Sequence, residues 1–137
     1  VIPMIDIQYT IETEQYGNKT GNRLFIPANI FRKGFTTPDL KQRVQDIHIN
    51  YGYLDTDSIC LQIPEGYTIE SLPKTCQVTS SFGSFSSSLM IKDKEICIIH
   101  RLLMHRGIYP KEIYKDFLEF RKQIAAQYSS KIILKKE

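Results

Sequence analysis

Three cysteines, Cys60, Cys76 and Cys97, and three histidines, His48, His100 and His105, are the residues of this 137-residue chain best suited to chemistry. A Cys/His nucleophile needs a thiolate within reach of an imidazole and a third group that orients the ring. Cys97 and His100 lie three apart on one predicted strand and therefore project from opposite faces. Cys60 and His48 can meet only across neighbouring strands. The cysteine set is odd and has no CxxC spacing, so it spells neither a zinc cage nor a disulfide framework and allows at most one disulfide. A buried thiol behaves as a small hydrophobe, and all three cysteines are read as structural.

The other polar groupings are equally unspecific. His100, Arg101, His105 and Arg106 could hold an anion at a strand end, but cations at such a position are commonly solvated or paired with carboxylates. His48, with Asp46 and Asn50 at two-residue spacing, belongs on a wet face. Asp55 and Asp57, with Asp46 nearby, suggest a calcium loop, yet the EF-hand spacing and its closing Glu are missing, so Asp55-Thr56-Asp57 is read as a turn. Eight tyrosines could supply a glycan- or peptide-binding face if enough of them are exposed. No catalytic, cofactor-binding or metal-binding residue is assigned, and no cofactor is expected.

These groups must be positioned by a chain of ordinary globular composition, 42% hydrophobic and 24% charged, long enough for one domain spanning residues 1–137. The net charge of +3 is dispersed apart from Lys135-Lys136, which argues against nucleic acid as a partner. No apolar run reaches the roughly 18 residues of a membrane span, and no signal peptide is recognisable. The chain opens at Val1 without an initiator Met and is read as a fragment or C-terminal module of a larger protein.

Ile5, Ile7, Tyr9 and Ile11 alternate with polar residues, which predicts a strand over Met4–Thr13. Turn residues over 16–22 lead to a short strand from Arg23 to Ile26, and the two strands are expected to form a hairpin. Residues 28–45, broken by Gly34 and Pro38, read as a long connection. Strands follow over 46–53, from Ile59 to Ile63 with Pro64 closing it, over 75–80 and over 84–92. The loop Lys92-Asp93-Lys94-Glu95 leads into Ile96–Met104, apolar on both faces and hence central. Gly66 and Gly83 are expected at turns, and the Ser-rich stretch Ser84 to Ser88 could be a sheet edge. After Tyr109-Pro110 the period changes: Ile113, Phe117, Phe120 and Ile124, with Tyr114, Leu118, Arg121 and Tyr128, predict a helix from Pro110 to about Gln127. Lys131 to Lys135 reads as a closing strand. The expected fold is mainly β with one C-terminal helix (α+β), an antiparallel sandwich of about seven to nine strands with the helix packed against a sheet.

Tyr53-x-Asp55, Leu61-Gln62-Ile63-Pro64-Glu65-Gly66-Tyr67, Ile69-Glu70-Ser71-Leu72-Pro73, Phe82-Gly83-Ser84-Phe85, Arg101 and Tyr109-Pro110 through Tyr114 resemble, in that order, the C-terminal domain of Bacteroidetes transglutaminase-like proteins. The resemblance spans roughly Arg43 to Lys135. It implies a β-rich accessory domain following a papain-like catalytic domain in a periplasmic or envelope protein, with that upstream domain of the same polypeptide as partner. It carries no catalysis here, since the family's Cys, His and Asp belong to the central domain. The expected role is a non-catalytic interaction or scaffolding module. The alternatives are a carbohydrate- or peptide-binding module and a stand-alone Cys-dependent enzyme built around Cys60 or Cys76.

Overall fold

The computed structural model describes residues 2–31, 33 and 38–137. Among them the longest elements are three adjacent strands, β4 (Tyr53–Gln62), β7 (Gly83–Lys92) and β8 (Glu95–Met104). With β6 (Cys76–Ser80) they form an antiparallel sheet in the order β4-β8-β7-β6. A second sheet has the order β1-β2-β10-β5, from β1 (Asn18–Thr20), β2 (Arg23–Pro27), β10 (Lys131–Lys136) and β5 (Tyr67–Ser71). β3 (Ile47–Ile49) and β9 (Gly107–Tyr109) make a small ribbon. All pairings are antiparallel.

β8 organises the interior. Its even-numbered side chains, Ile96, Ile98, His100, Leu102 and Met104, all point inward and are buried. Two different layers cover this one face. At the Ile96 end the second sheet contributes Ile26, Ala28, Ile132 and Leu134. At the Met104 end lies helix α1 (Tyr114–Tyr128), whose Tyr114, Leu118, Phe120, Ile124 and Tyr128 pack on Phe82, Phe85, Leu102 and Met104. Burying side chains of this size stabilises by about 1.5–3 kcal/mol each, so the two apolar clusters hold the layers together.

The helix forms where the apolar period shifts to three and four residues, just after Pro110 and a short 3-10 turn, Lys111–Ile113. Asp46 Oδ1 accepts the Lys111 N–H at 3.0 Å, satisfying one donor of the helix entry. At the other end the Ser129 N–H donates to the Ala125 carbonyl and Ser130 Oγ to that of Gln127. The polypeptide then turns directly into β10.

The β-rich, single-helix architecture agrees with expectation, with ten strands among the described residues rather than seven to nine. Several local expectations are corrected. Met4–Thr13 is not a strand: residues 2–13 have no regular structure, and Ile5, Ile7, Tyr9 and Ile11 are 86, 61, 66 and 60% exposed. Alternation defines two faces but supplies no neighbouring strand, without which backbone pairing cannot form. The hairpin exists, but it joins β1 to β2 through the Gly21-Asn22 turn.

Asp55-Thr56-Asp57 is not a turn but the middle of β4, where pairing with Leu102, Arg101 and His100 overrides the turn preference of Asp. β5 is an additional strand beyond those expected, since Tyr67–Ser71 alternates over only five residues between turn signals. Ser84 to Ser88 is interior, lying between β6 and β8. β8 is central as expected, but Cys97, Ile99 and Leu103 on its other face are only half-buried. The connection before β3 is irregular where described, with Gly34 outside the described residues, and Arg43 stacks on the Tyr114 ring at 4.7 Å.

Candidate functional site

The inner face of the β4-β8-β7 sheet carries a polar row between its two apolar clusters. Register places Asp57, His100 and Ser87 side by side on β4, β8 and β7. They are 8, 1 and 5% exposed. The connection after β2 completes the cluster from above. Asn29 Nδ2 donates to Asp57 Oδ2 at 3.0 Å and lies 3.1 Å from His100 Nδ1. Lys33 Nζ donates to Asp55 Oδ2 at 2.6 Å and to Asp57 Oδ1 at 3.0 Å. Asn29 Oδ1 accepts the Phe31 N–H, which fixes the amide.

The electrostatics follow from burial. His100 titrates below its ordinary range because burial penalises the imidazolium; Asp57 opposes this shift and Lys33 adds to it. For Lys33, burial favours the neutral amine, but hydrogen bonds and charge attraction from Asp55 and Asp57 outweigh it and raise the pKa. Burial also raises the Tyr128 phenol, helped by the same two carboxylates, and its ring stands edge-on to His100 at 5.2 Å between centroids. A neutral His100 that accepts the Asn29 amide at Nδ1 carries its proton on Nε2. That atom is buried with no hydrogen-bond partner among the described residues.

Ser, His and Asp thus stand in the order of a hydrolytic triad, but the roles do not match. An acyl-transfer base needs its Nδ1 oriented by the carboxylate and its Nε2 turned to an accessible hydroxyl. Here Nδ1 meets an amide, Asp57 is engaged by Asn29 and Lys33, and Ser87 is enclosed. The arrangement can hold two carboxylates and one ammonium at a seam between layers, and it locks the connection onto the sheet.

The residues singled out from sequence are dispersed. Cys60 and Cys97 are directly opposed on β4 and β8 and form a disulfide. Cys76, on β6, remains a free thiol whose pKa is raised by burial, against a hydrogen bond from the Ser87 backbone. The Cys60–His48 pairing is therefore corrected, because Cys60 is spent in a disulfide and His48 belongs to the separate β3-β9 ribbon. The expected His100, Arg101, His105, Arg106 cluster also dissolves: His100 faces the core, whereas the other three are exposed. Asp46 sits at the helix entry, away from Asp55 and Asp57. Of the tyrosines, Tyr114 and Tyr128 are core residues, and Tyr9, Tyr51 and Tyr53 are exposed.

An open cleft of about 400 Å³ lies beside the β3-β9 ribbon, lined by His48, Ile49, Asn50, Tyr51, Arg106, Gly107 and Ile108. Sequence reasoning missed Asn29 and Lys33 altogether, since both lie in an irregular stretch. The signal for Asp57 was available in its phase: Asp55, Asp57, Ile59 and Leu61 share one strand face. Among the described residues no helix is long and apolar enough to cross a membrane.

Residues 22–134 match the family described as a domain of unknown function with solved structure (DUF3858). No curated protein and no solved structure matches the chain.

Proposed function

The chain belongs to the DUF3858 family, and we propose that it works as a non-catalytic accessory and interaction domain of a transglutaminase-like envelope protein, with the upstream catalytic domain of the same polypeptide as its partner. The observation that carries this reading is the segment preceding the family match. Ile2, Met4, Ile5, Ile7, Tyr9 and Ile11 are all exposed, in a strand-like alternation without a neighbouring strand among the described residues. An exposed apolar row of this kind is a surface that another polypeptide can cover, and extended segments add readily to a sheet edge. In sequence the segment precedes the matched residues, the end at which an upstream domain would join.

The test is association in trans. The upstream domain and this chain, produced separately, are expected to bind in calorimetry, and replacing Ile5, Ile7 and Ile11 by Asp is expected to abolish binding while leaving the melting midpoint unchanged. Failure of the unsubstituted pair to associate overturns the reading.

A second reading, a glycan- or peptide-binding module, is favoured by the cleft beside the β3-β9 ribbon, where the exposed Tyr51 ring adjoins Asn50, His48 and Arg106. Tyr51→Ala would then abolish retention on an immobilised glycan or peptide array, and binding that ignores this substitution rejects it.

A further inference from the structure

The outer face of the same sheet carries a second cross-strand row, and its chemistry is that of a soft-metal site. Cys60 on β4, Cys97 on β8 and Met90 on β7 are register neighbours. Their side chains share the solvent side, opposite the inward row of Ile59, Ile98 and Leu89. Glu95 stands two residues before Cys97 on the same face, with its Oε1 3.5 Å from Cys97 Sγ. One ligand atom from each of Cys60, Cys97 and Glu95 lies within 4.8 Å of the others. Gln62 Nε2 donates to the second carboxylate oxygen, Oε2, at 3.0 Å and so orients Glu95. An open cleft of about 280 Å³, lined by Gln62, Lys92, Asp93, Lys94 and Glu95, adjoins the row.

A disulfide sulfur has no proton to donate, so the approach of the Glu95 carboxylate to Cys97 is not a hydrogen bond in the oxidised protein. The distance equals the spacing that two ligands of one metal ion would have. Zinc bonds of about 2.3 Å to sulfur and 2.0–2.2 Å to oxygen put the S···O edge of a tetrahedron at roughly 3.5 Å. The carboxylate oxygen is already there, and its hydrogen bond from Gln62 is the outer-shell support that ligating carboxylates usually have. The two cysteines sit within a ten-residue antiparallel register between β4 and β8, with paired residues on both sides of them, so their opposition does not depend on the disulfide alone.

We propose that Cys60, Cys97 and Glu95 form a redox-gated site for a zinc-type divalent ion, closed while the disulfide is intact and opened by a dithiol reductant. The exposed position of Cys60 gives such a reductant access. The dithiol supplies two electrons and two protons, itself becoming a disulfide, and leaves two thiols. Binding of the ion then releases both thiol protons to solvent and forms two metal–thiolate bonds. Glu95 is the third ligand, and the fourth position is left for water or another small ligand from solvent. Met90 stands beside the site without being needed for zinc, although its thioether would favour Cu(I).

The experiment uses the 137-residue chain in its oxidised form and after dithiol reduction and anaerobic removal of the reductant. Zn(II) binding is followed by calorimetry, and Co(II) serves as the coloured probe. The reduced chain should bind one equivalent, release two protons and show thiolate-to-cobalt charge transfer, while the oxidised chain should bind none. Gln62→Ala should weaken zinc by about 10–100-fold, the range for groups that orient a ligand, and Glu95→Gln, which removes the carboxylate ligand itself, by at least as much. Cys76→Ser and Met90→Leu should leave zinc binding unchanged. Circular dichroism controls for folding, with Cys60→Ala/Cys97→Ala as the bridge-free reference for the intact ladder. The proposal is overturned by zinc binding that survives in that double variant, by equal binding in the oxidised chain, by dependence on Cys76, or by a reduced chain that binds nothing, whether folded or unfolded.

Discussion

Gly83 is the position where one added methyl group should do the most damage, and the cause is an interstrand collision. The residue opens β7 with φ +150°, a region that L side chains rarely adopt. A Cβ built there would lie 1.9 Å from the Leu103 carbonyl oxygen and 2.9 Å from its carbon. Leu103 belongs to β8, the strand on which both apolar clusters rest, so the obstructing atoms are backbone and cannot swing aside. Gly83→Ala therefore carries about 1–3 kcal/mol of conformational strain. Separating the strand ends sacrifices on the order of two ladder hydrogen bonds, at about 0.5–1.5 kcal/mol each. The expected destabilisation is about 2–6 kcal/mol, out of a typical total of about 5–15 kcal/mol.

Gly66→Ala is the matched comparison. Its φ of +82° imposes strain, but nothing lies within 4 Å of the added atom, so the cost should stay near 1–2 kcal/mol, the penalty of the left-handed conformation. Urea denaturation with an unchanged slope would read both values. Should Gly83→Ala prove no more destabilising than Gly66→Ala, the close approach of β7 and β8 would be wrong.

Three further expectations concern the core and the buried polar row. Phe120→Ala should cost about 3–5 kcal/mol because its ring is 2% exposed, whereas Phe117→Ala, at a half-buried site, should cost clearly less; equal denaturation midpoints would reject the helix orientation. For His100, the unfolded chain takes up a proton near pH 6.5 while the fold resists it, because burial of the ring among Asn29, Ser87, Phe85 and Tyr128, with Lys33 nearby, outweighs the attraction of Asp57. Its contribution to stability is therefore complete above pH 6.5 and falls as the pH drops below that value, and urea melts between pH 7.5 and about pH 5 should show a slope that His100→Gln removes; an unaltered slope would assign the dependence elsewhere. Lys33→Met leaves Asp57 buried beside Asn29 alone, a loss expected to stay below the roughly 3–5 kcal/mol of a fully buried broken pair because Lys33 is 25% exposed, and an unchanged midpoint would show that the ammonium is not part of the seam.

Much of the architecture was legible in the residues because it rests on short-range patterns. The three-and-four spacing specified a helix from Pro110 to about Gln127, which ends within one residue of the observed Tyr128 but starts four residues early, because Lys111–Ile113 is a 3-10 turn. The run Ile96–Met104 specified the central strand and Lys131 to Lys135 the last one, each within one residue of the observed bounds. These patterns are self-contained, since a helix or strand advertises its buried face in its own period. Sequence alternation failed where pairing with a distant strand decides. Met4–Thr13 has the clearest period of all and yet no strand beside it among the described residues, while Asp55-Thr56-Asp57 has turn chemistry and is held extended by residues 100–102. The two polar rows were invisible for the same reason. Asp57, His100 and Ser87 on one face, and Cys60, Cys97 and Met90 on the other, become neighbours only through antiparallel register, and the β4 member of each row lies 30 or more positions from the other two. The residue types and their faces were set by the sequence alone; which faces meet, and hence which chemistry can assemble, was decided by tertiary pairing, because register is a property of two strands and not of one.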